Sequence, residues 1–346
     1  MKKRYLESAW YFGGWSELLP TGKVNGVVLA ERNIAVYRTE TGRVAAIGDR
    51  CPHRFAPLHR GQVKGERLEC GYHGLQFGTD GQCAFNPHGK GATPTAARVP
   101  SYSTVERDGA IWIWLATEKE PDPSLIPDFS LLTACPETAR VHIPTMNVDA
   151  DYELIVDNLF DPTHAEYVHA GTFGGTGELS NFRPRIEADH AKVVADWSYD
   201  GVVAVPYLQA CLPDQPVDTW IRATWYAPGV VVFEAGIKAA GRSRQEGFLT
   251  VAYHIPMPTT PGKCTYDVKA IRSFAVEDVG MTATTREMAQ YAFNAQDKPM
   301  IQAQHAMMNG TDFSELNPVL FATDAAPVRV RRALQSLIEE NEAVPA

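Results

Sequence analysis

Two short runs in the first third of the chain hold the residue types most able to do chemistry. Cys51-Pro52-His53 is followed, after sixteen intervening residues, by Cys70-Gly71-Tyr72-His73. Two thiolates and two imidazoles can close around a single zinc ion. They can also divide, so that two sulfurs hold one iron and two ring nitrogens hold the other iron of a [2Fe-2S] cluster. Paired zinc ligands are commonly separated by two to four residues, so the single-residue gap of Cys51-x-His53 favours the cluster. Flanking Pro52, Pro57, Gly61, Gly71 and Gly74 suit two tight loops closing on a common centre. A zinc-stapled binding module, and an electron carrier that needs this motif alone, stand as the alternatives.

A second constellation lies at Asp157-Asn158-Leu159-Phe160-Asp161-Pro162-Thr163-His164-Ala165-Glu166-Tyr167-Val168-His169. At about 100° per residue, Asp161 and His164 lie roughly 60° apart on a helix and can meet. His164 and His169 are about 140° apart on the same helix, so a shared metal requires a helix end or a π-type bulge between them. Without a metal, two such histidines would be ordinary hydrogen-bonding imidazoles.

The text Cys51-Pro52-His53-Arg54 with Cys70-Gly71-Tyr72-His73-Gly74 resembles the cluster motif of the Rieske non-haem iron oxygenases, and the whole chain fits that family. The resemblance implies a [2Fe-2S] cluster on Cys51, His53, Cys70 and His73, with a potential above that of an all-cysteine cluster. It implies that Asp161-x-x-His164-x-x-x-x-His169 is the mononuclear iron motif. Asp297, within Asn294-Ala295-Gln296-Asp297-Lys298-Pro299, is then the third ligand, although relatives often carry an acid at the position of Gln296. Two histidines and one carboxylate on one face of Fe(II) leave positions open for O₂ beside a substrate. On the same resemblance Asp161 orients His164 through its ring N–H and links to the cluster ligand His73 of a neighbouring subunit in a homotrimer, and Asn158 lies near the iron.

The segments Val217–Gly236 and Asn86–Gly89 resemble the branch of the family that oxidises a methyl or methoxy carbon on an acidic aromatic ring. The expected reaction is oxidative O-demethylation of a methoxylated aromatic acid with O₂, releasing formaldehyde. Its electrons come from NADH through a separate flavin and iron–sulfur reductase. Hydroxylation of an aryl methyl group or of the ring is the alternative outcome. Arg222, on an alternating strand, is the candidate partner for the acid, with a solvent-facing arginine as the plain reading.

The elements that must position these residues are legible in outline. Val27–Ala30, Ile34–Tyr37, Val44–Ile47 and Ile111–Leu115 read as strands joined by turns such as Thr39-Glu40-Thr41-Gly42. The acidic, Pro-containing stretch 117–123 reads as a boundary, giving an all-β Rieske domain over 1–117 and a catalytic domain over 118–346. In the second domain a helix-like stretch is expected over Tyr152–His169, strands from about Val193 to Phe274, and helices from about Val279 to Met308. A closing amphipathic helix is expected on the stripe Val330, Leu334, Leu337 and Ile338, with Arg329 and Arg332 turned away. The fold class is α+β, the catalytic part an antiparallel sheet flanked by helices in a helix-grip arrangement.

Composition narrows the partners. The chain has 346 residues, 32 Lys+Arg and 41 Asp+Glu, a formal charge of −9 that opposes nucleic acid and anionic membrane surfaces. No window approaches a membrane-spanning run, and the basic start breaks into Glu7 and Ser8 before any apolar run long enough for a signal peptide, so no export is expected. Six cysteines, two of them in the motif, point to a reducing, cytoplasmic setting. Cys83, Cys135, Cys211 and Cys264 read as small buried residues. His59 and His88 read as loop hydrogen-bonders.

Overall fold

Residues 5–170, 179–201, 206–213 and 215–343 are described by the computed structural model. Residues through Ile126, with Pro258–Thr260 and the chain from Glu340, form one compact unit; Pro127–Met257 and Pro261–Glu339 form the other.

The first unit is all β. Its strands are β1 (Trp10–Trp15), β2 (Val24–Leu29), β3 (Arg32–Arg38), β4 (Val44–Gly48), β5 (Gln62–Lys64), β6 (Arg67–Glu69), β7 (Gln76–Phe77), β8 (Cys83–Phe85), β9 (Ser101–Arg107) and β10 (Ala110–Trp114). The larger sheet runs β1-β10-β9-β4-β3-β2, and the smaller runs β5-β6-β7-β8. Every residue of β4 and β10 is buried, as expected of apolar runs inside a sheet. Trp114 lies 5.4 Å from Trp10 across the β10/β1 pair, and Trp112 lies 6.0 Å from Phe12. The smaller sheet carries the cysteine loops. Leu58, Leu68 and Phe77 are fully buried beneath them and anchor the loops from below.

The second unit opens on α1 (Ser130–Ala134), β11 (Arg140–Val148), α2 (Tyr152–Leu159) and α3 (Ala165–Val168). It continues through β12 (Arg185–Asp189), β13 (Lys192–Asp200), α4 (Pro206–Gln209), β14 (Val217–Tyr226), β15 (Val230–Ala239), β16 (Phe248–Thr260) and β17 (Lys263–Arg272). It ends with α5 (Val279–Tyr291), α6 (Lys298–Met308) and α7 (Ala325–Ala343). The sheet is antiparallel, in the order β11-β17-β16-β15-β14-β13-β12.

Two expected helices are broken where the site needs them broken. Tyr152–His169 is three pieces: α2, a 3₁₀ turn over Pro162–His164, and α3. Asp161 and Pro162 are the cause. The Asp161 carboxylate accepts the Thr163 N–H at 3.0 Å as a helix cap, and Pro162 takes the first helical position, where a missing N–H does no harm. Between α5 and α6 the chain makes a π turn over Ala292–Asp297.

The closing helix α7 buries Val330, Leu334, Leu337 and Ile338, while Arg329 and Arg332 are exposed. Arg331 turns inward toward α2. Its Nε lies 2.9 and 3.0 Å from the two Asp157 carboxylate oxygens, one guanidinium nitrogen is 2.9 Å from Glu153, and its Cζ sits 4.4 Å above the Phe313 ring. Burial pushes Glu153 up to about 7, against the opposing pull of Arg331, and Asp157 is raised for the same reason.

A carboxyl group raised in the folded state stabilises the fold below its ordinary value near 4.5 and loses that contribution as pH rises through about 7. The free energy of unfolding, measured from urea midpoints, should therefore fall between about pH 4.5 and 7. Glu153→Gln should flatten part of that slope, leaving the share due to Asp157.

Candidate active site

The two cysteine loops are built alike. The Cys51 N–H donates to the Ala56 carbonyl at 2.9 Å and the Phe55 N–H donates back to Cys51; the Cys70 N–H donates to Leu75 at 2.8 Å and the Gly74 N–H donates back to Cys70. The residue four past each cysteine has a positive φ, 60° at Phe55 and 73° at Gly74. The loops meet through glycine. A Cβ on Gly61 would lie 1.8 Å from the Glu69 carbonyl oxygen, and one on Gly71 would lie 2.8 Å from that of Arg60.

This arrangement sorts the four donors by depth. Cys51 and Cys70 are buried and unoxidised, whereas His53 is exposed, His73 is half-buried, and their rings are 4.6 Å apart. Burial pushes the Cys51 thiol up to about 11, with the neighbouring Cys70 thiol acting in the same direction. Two crowded, dry sulfurs backed by two imidazoles nearer water make a donor set that suits a [2Fe-2S] cluster, since an iron on each pair relieves the sulfur crowding by deprotonation. His88 supports this edge. Its Nε2 lies 2.9 Å from the His73 carbonyl oxygen. His59, the other histidine of these loops, bonds Asp49 through both its N–H and its ring.

In the second unit His164 ends the 3₁₀ turn, His169 caps the C-terminus of α3, and Asp297 closes the π turn. The two histidines flank the four-residue α3, His164 at its N-cap and His169 at its C-cap with φ −103° and ψ 19°, so the separation of about 140° in a continuous α-helix does not apply. Ring centroids are 5.2 Å apart, and an Asp297 oxygen is 3.6 Å from His164 Nε2 and 3.2 Å from His169 Nε2. One donor atom from each residue falls within 4.8 Å of the others. The His164 Nδ1–H donates to the Asp161 carbonyl, and His169 Nδ1 is 3.0 Å from Gln296 Oε1. With the proton held on Nδ1, both Nε2 atoms keep a lone pair for a metal. Burial works against a charge on His169, yet Asp297 and Gln296 raise its pKa. The same field favours a metal cation. Asn158 Nδ2 is 3.5 Å from the Asp297 oxygen.

Two expected roles differ in the structure. Asp161 orients His164 through its main-chain carbonyl rather than its carboxylate, because Thr163 N and Oγ1 both bond to Oδ1 of that carboxylate. Arg222 does not line the cavity beside the metal site. Strand alternation turns Ile221 inward and Arg222 to the opposite face, where its Nε is 2.8 Å from Asp196, a carboxylate also held by Arg244.

The cavity itself measures about 250 Å³ and lies between the sheet and the helices. It exists because the inward positions are small: Ala235, Ala252 and Ala270 on the sheet, Ala289 and Ala292 above it. Phe233, Phe293, Leu159 and Val268 give it an apolar wall. His254, which lines it, pairs its Nδ1 with the Tyr266 hydroxyl at 2.6 Å, and burial pushes its pKa down to about 3. The sequence signal for His254 is a lone imidazole in the apolar run Val251–Ile255, and for Gln296 its place beside Asp297.

Comparison with known proteins agrees with this geometry. The vanillate O-demethylase oxygenase C-terminal domain matches residues 148–340, and the Rieske [2Fe-2S] domain matches residues 9–103. The oxygenase component of chloroacetanilide N-alkylformylase from Rhizorhabdus wittichii is 34% identical over 97% of this chain and 96% of its own length. The oxygenase component of dicamba O-demethylase from Stenotrophomonas maltophilia is 32% identical over 96% of this chain and 98% of its own. A crystal structure of dicamba monooxygenase bound to dicamba superposes with a TM-score of 0.88 at 31% identity, covering 98% of this chain and 99% of that one. The chain belongs to the Rieske non-haem iron oxygenases, as an oxygenase component of the vanillate O-demethylase type.

Proposed function

We propose that this chain is the terminal oxygenase of a monooxygenase that removes the methyl group of a methoxylated aromatic compound, with NADH-derived electrons delivered by a separate flavin and iron–sulfur reductase. The observation that carries the reading is the His164, His169 and Asp297 set opening onto an apolar cavity. Cys51, His53, Cys70 and His73 would hold the cluster, and His164, His169 and Asp297 the mononuclear iron. The cluster supplies single electrons and the iron supplies O₂ activation.

The protein's own groups do the rest. Gln296 and the Asp161 carbonyl fix the two imidazoles, Asn158 steadies Asp297, and the apolar wall aligns the substrate and keeps water out. Insertion of one oxygen atom into the methyl C–H bond gives a hemiacetal, which separates into a phenol and formaldehyde. The other oxygen atom leaves as water, taking up two electrons and two protons. A dealkylation at nitrogen follows the same course, and the N-alkylformylase relative favours it as the second reading.

Asp161 is half-buried, and its Oδ2 is left over by the two Thr163 bonds to Oδ1. In the homotrimer we propose, that oxygen would accept a hydrogen bond from His73 of a second copy. Six free cysteines support a reducing cytoplasm, and no helix among the described residues is long and apolar enough to cross a membrane.

Gln296→Leu should weaken iron binding at the mononuclear site by about 10- to 100-fold in a chelator competition, leaving the visible absorbance of the cluster unchanged. Asp161→Asn should retain both metals while single-turnover electron transfer between them collapses; turnover at the parental rate would remove Asp161 from the path. Incubation with a reductase, NADH and a panel of methoxyarenes should give formaldehyde in step with phenol. A benzylic alcohol from a methylated ring would move the assignment to methyl hydroxylation, and a cis-dihydrodiol to ring oxidation.

A further inference from the structure

Buried hydroxyls and N–H groups are bonded to something in nearly every folded protein, so one that is not calls for a partner from outside the chain. Two such groups line the cavity: the Tyr199 hydroxyl and Arg272 Nε, neither with a hydrogen-bond partner among the described residues. Arg272 is held by its other nitrogens. They donate to Thr282 Oγ1 and to the carbonyls of Ala275 (2.8 Å) and Asp278 (2.6 Å), which fixes the guanidinium plane and with it the direction of the Nε–H bond. The Tyr199 proton is free of such ties. It turns about the C–O bond to meet an acceptor.

Tyr199 reaches the cavity from β13, on which Val193, Ala195, Trp197 and Tyr199 share one face and are buried. It stands opposite Thr219 on β14, with Ile221 diagonal to it, and both of these line the cavity. The Phe182 ring, 4.7 Å away at 78°, holds the phenol edge-on. Burial raises the Tyr199 pKa and the negative charge of Glu166 adds to this, so the oxygen keeps its proton and acts as a donor. The row that holds Tyr199 continues through Thr219 and Ile237 to Phe248. His254, whose ring lies 5.5 Å from Phe293 in the π turn that ends at Asp297, is further along β16 from Phe248 by roughly 20 Å at the rise of a strand. Tyr199 therefore serves the end of the cavity remote from the metal-binding set.

We propose that Tyr199 is a specificity-determining residue of this oxygenase: its hydroxyl donates a hydrogen bond to a carbonyl oxygen of the substrate, carried on the side of the ring away from the carbon that is oxidised. The inference rests on the dealkylase reading of the same site and deepens it, from a methoxylated aromatic compound to one with a carbonyl group para to the ether. A compound without that oxygen leaves the hydroxyl dry and unpaired and loses affinity.

The test uses the full-length, metal-loaded protein without O₂ and two probes of the same shape: 4-methoxyacetophenone, and 4-isopropenylanisole, in which a methylene replaces the carbonyl oxygen. Calorimetry should show the ketone binding at least about fivefold more tightly than the alkene, and Tyr199→Phe should bring the two within about twofold by weakening the ketone alone. The ortho isomer 2-methoxyacetophenone, whose carbonyl lies beside the ether, should be indifferent to the substitution; a matching loss would overturn the remote placement. Without ligand, the variant should melt no lower than the parent, because a hydroxyl with no partner supports nothing. A lower melting temperature would show that the hydroxyl is bonded within the protein and would overturn the proposal. So would a parent protein that binds the ketone no more tightly than the alkene, and so would a preference that survives in Tyr199→Phe, which would pass the acceptor to Arg272. The chemistry is scored separately, with reductase, NADH and O₂. A ketone that binds through Tyr199 and consumes NADH without yielding formaldehyde would defeat the demethylase reading and leave the acceptor rule standing, whereas formaldehyde made from both probes with the same kcat/KM in parent and variant would do the reverse.

Discussion

A carboxylate buried beside two imidazoles is unfavourable unless a cation joins them, and Asp297 with His164 and His169 is such a group. The second unit is arranged around keeping these three together. The capped turn at Asp161-Pro162 ends α2 early, α3 is only four residues long, and the π turn carries Asp297 to the same point from a distant part of the chain. Each break in regular structure gives up backbone hydrogen bonding that a metal bound to all three ligands can repay.

The first unit meets a different demand, since its four donors must differ in their access to water. The paired loops on the small sheet provide this by repetition. The same hydrogen-bond scheme twice over places a sulfur deep and an imidazole outward, with glycine at the contact where any side chain would strike a carbonyl. Leu58, Leu68 and Phe77 hold the base rigid, so the donors depend little on the flexibility of the loops.

The sequence made the donors legible because ligand chemistry is carried by residue type and spacing. Cys51-x-His53 and Cys70-x-x-His73 point to a cluster without any knowledge of the fold, and the five-residue gap from His164 to His169 is met by a four-residue helix with one histidine at each end. The cavity was not legible in the same way. It depends on what is absent from positions such as Ala235, Ala252 and Ala270, and on which strands bring them side by side. Arg222 shows the difficulty. Its type suited an anion, and only the register that pairs it with Asp196 shows that it faces the wrong way. Gln296 looked like a departure from the pattern of relatives, whereas its amide oxygen serves His169 as an acid would.

The π turn at Ala292–Asp297 has a consequence for how the helix tolerates changes in length. A π turn holds one residue more than the α-helical turn it replaces, and Pro299 just beyond it has no N–H and crowds the carbonyl four residues back, so removing a single residue there would change the register of α5 against α6 without making one regular helix. The same deletion would swing Asp297 by about 100° around the helix axis and carry it away from His164 and His169. Shortened chains of this kind would keep the two helices and lose the metal, so the extra residue serves the ligand set rather than the helices.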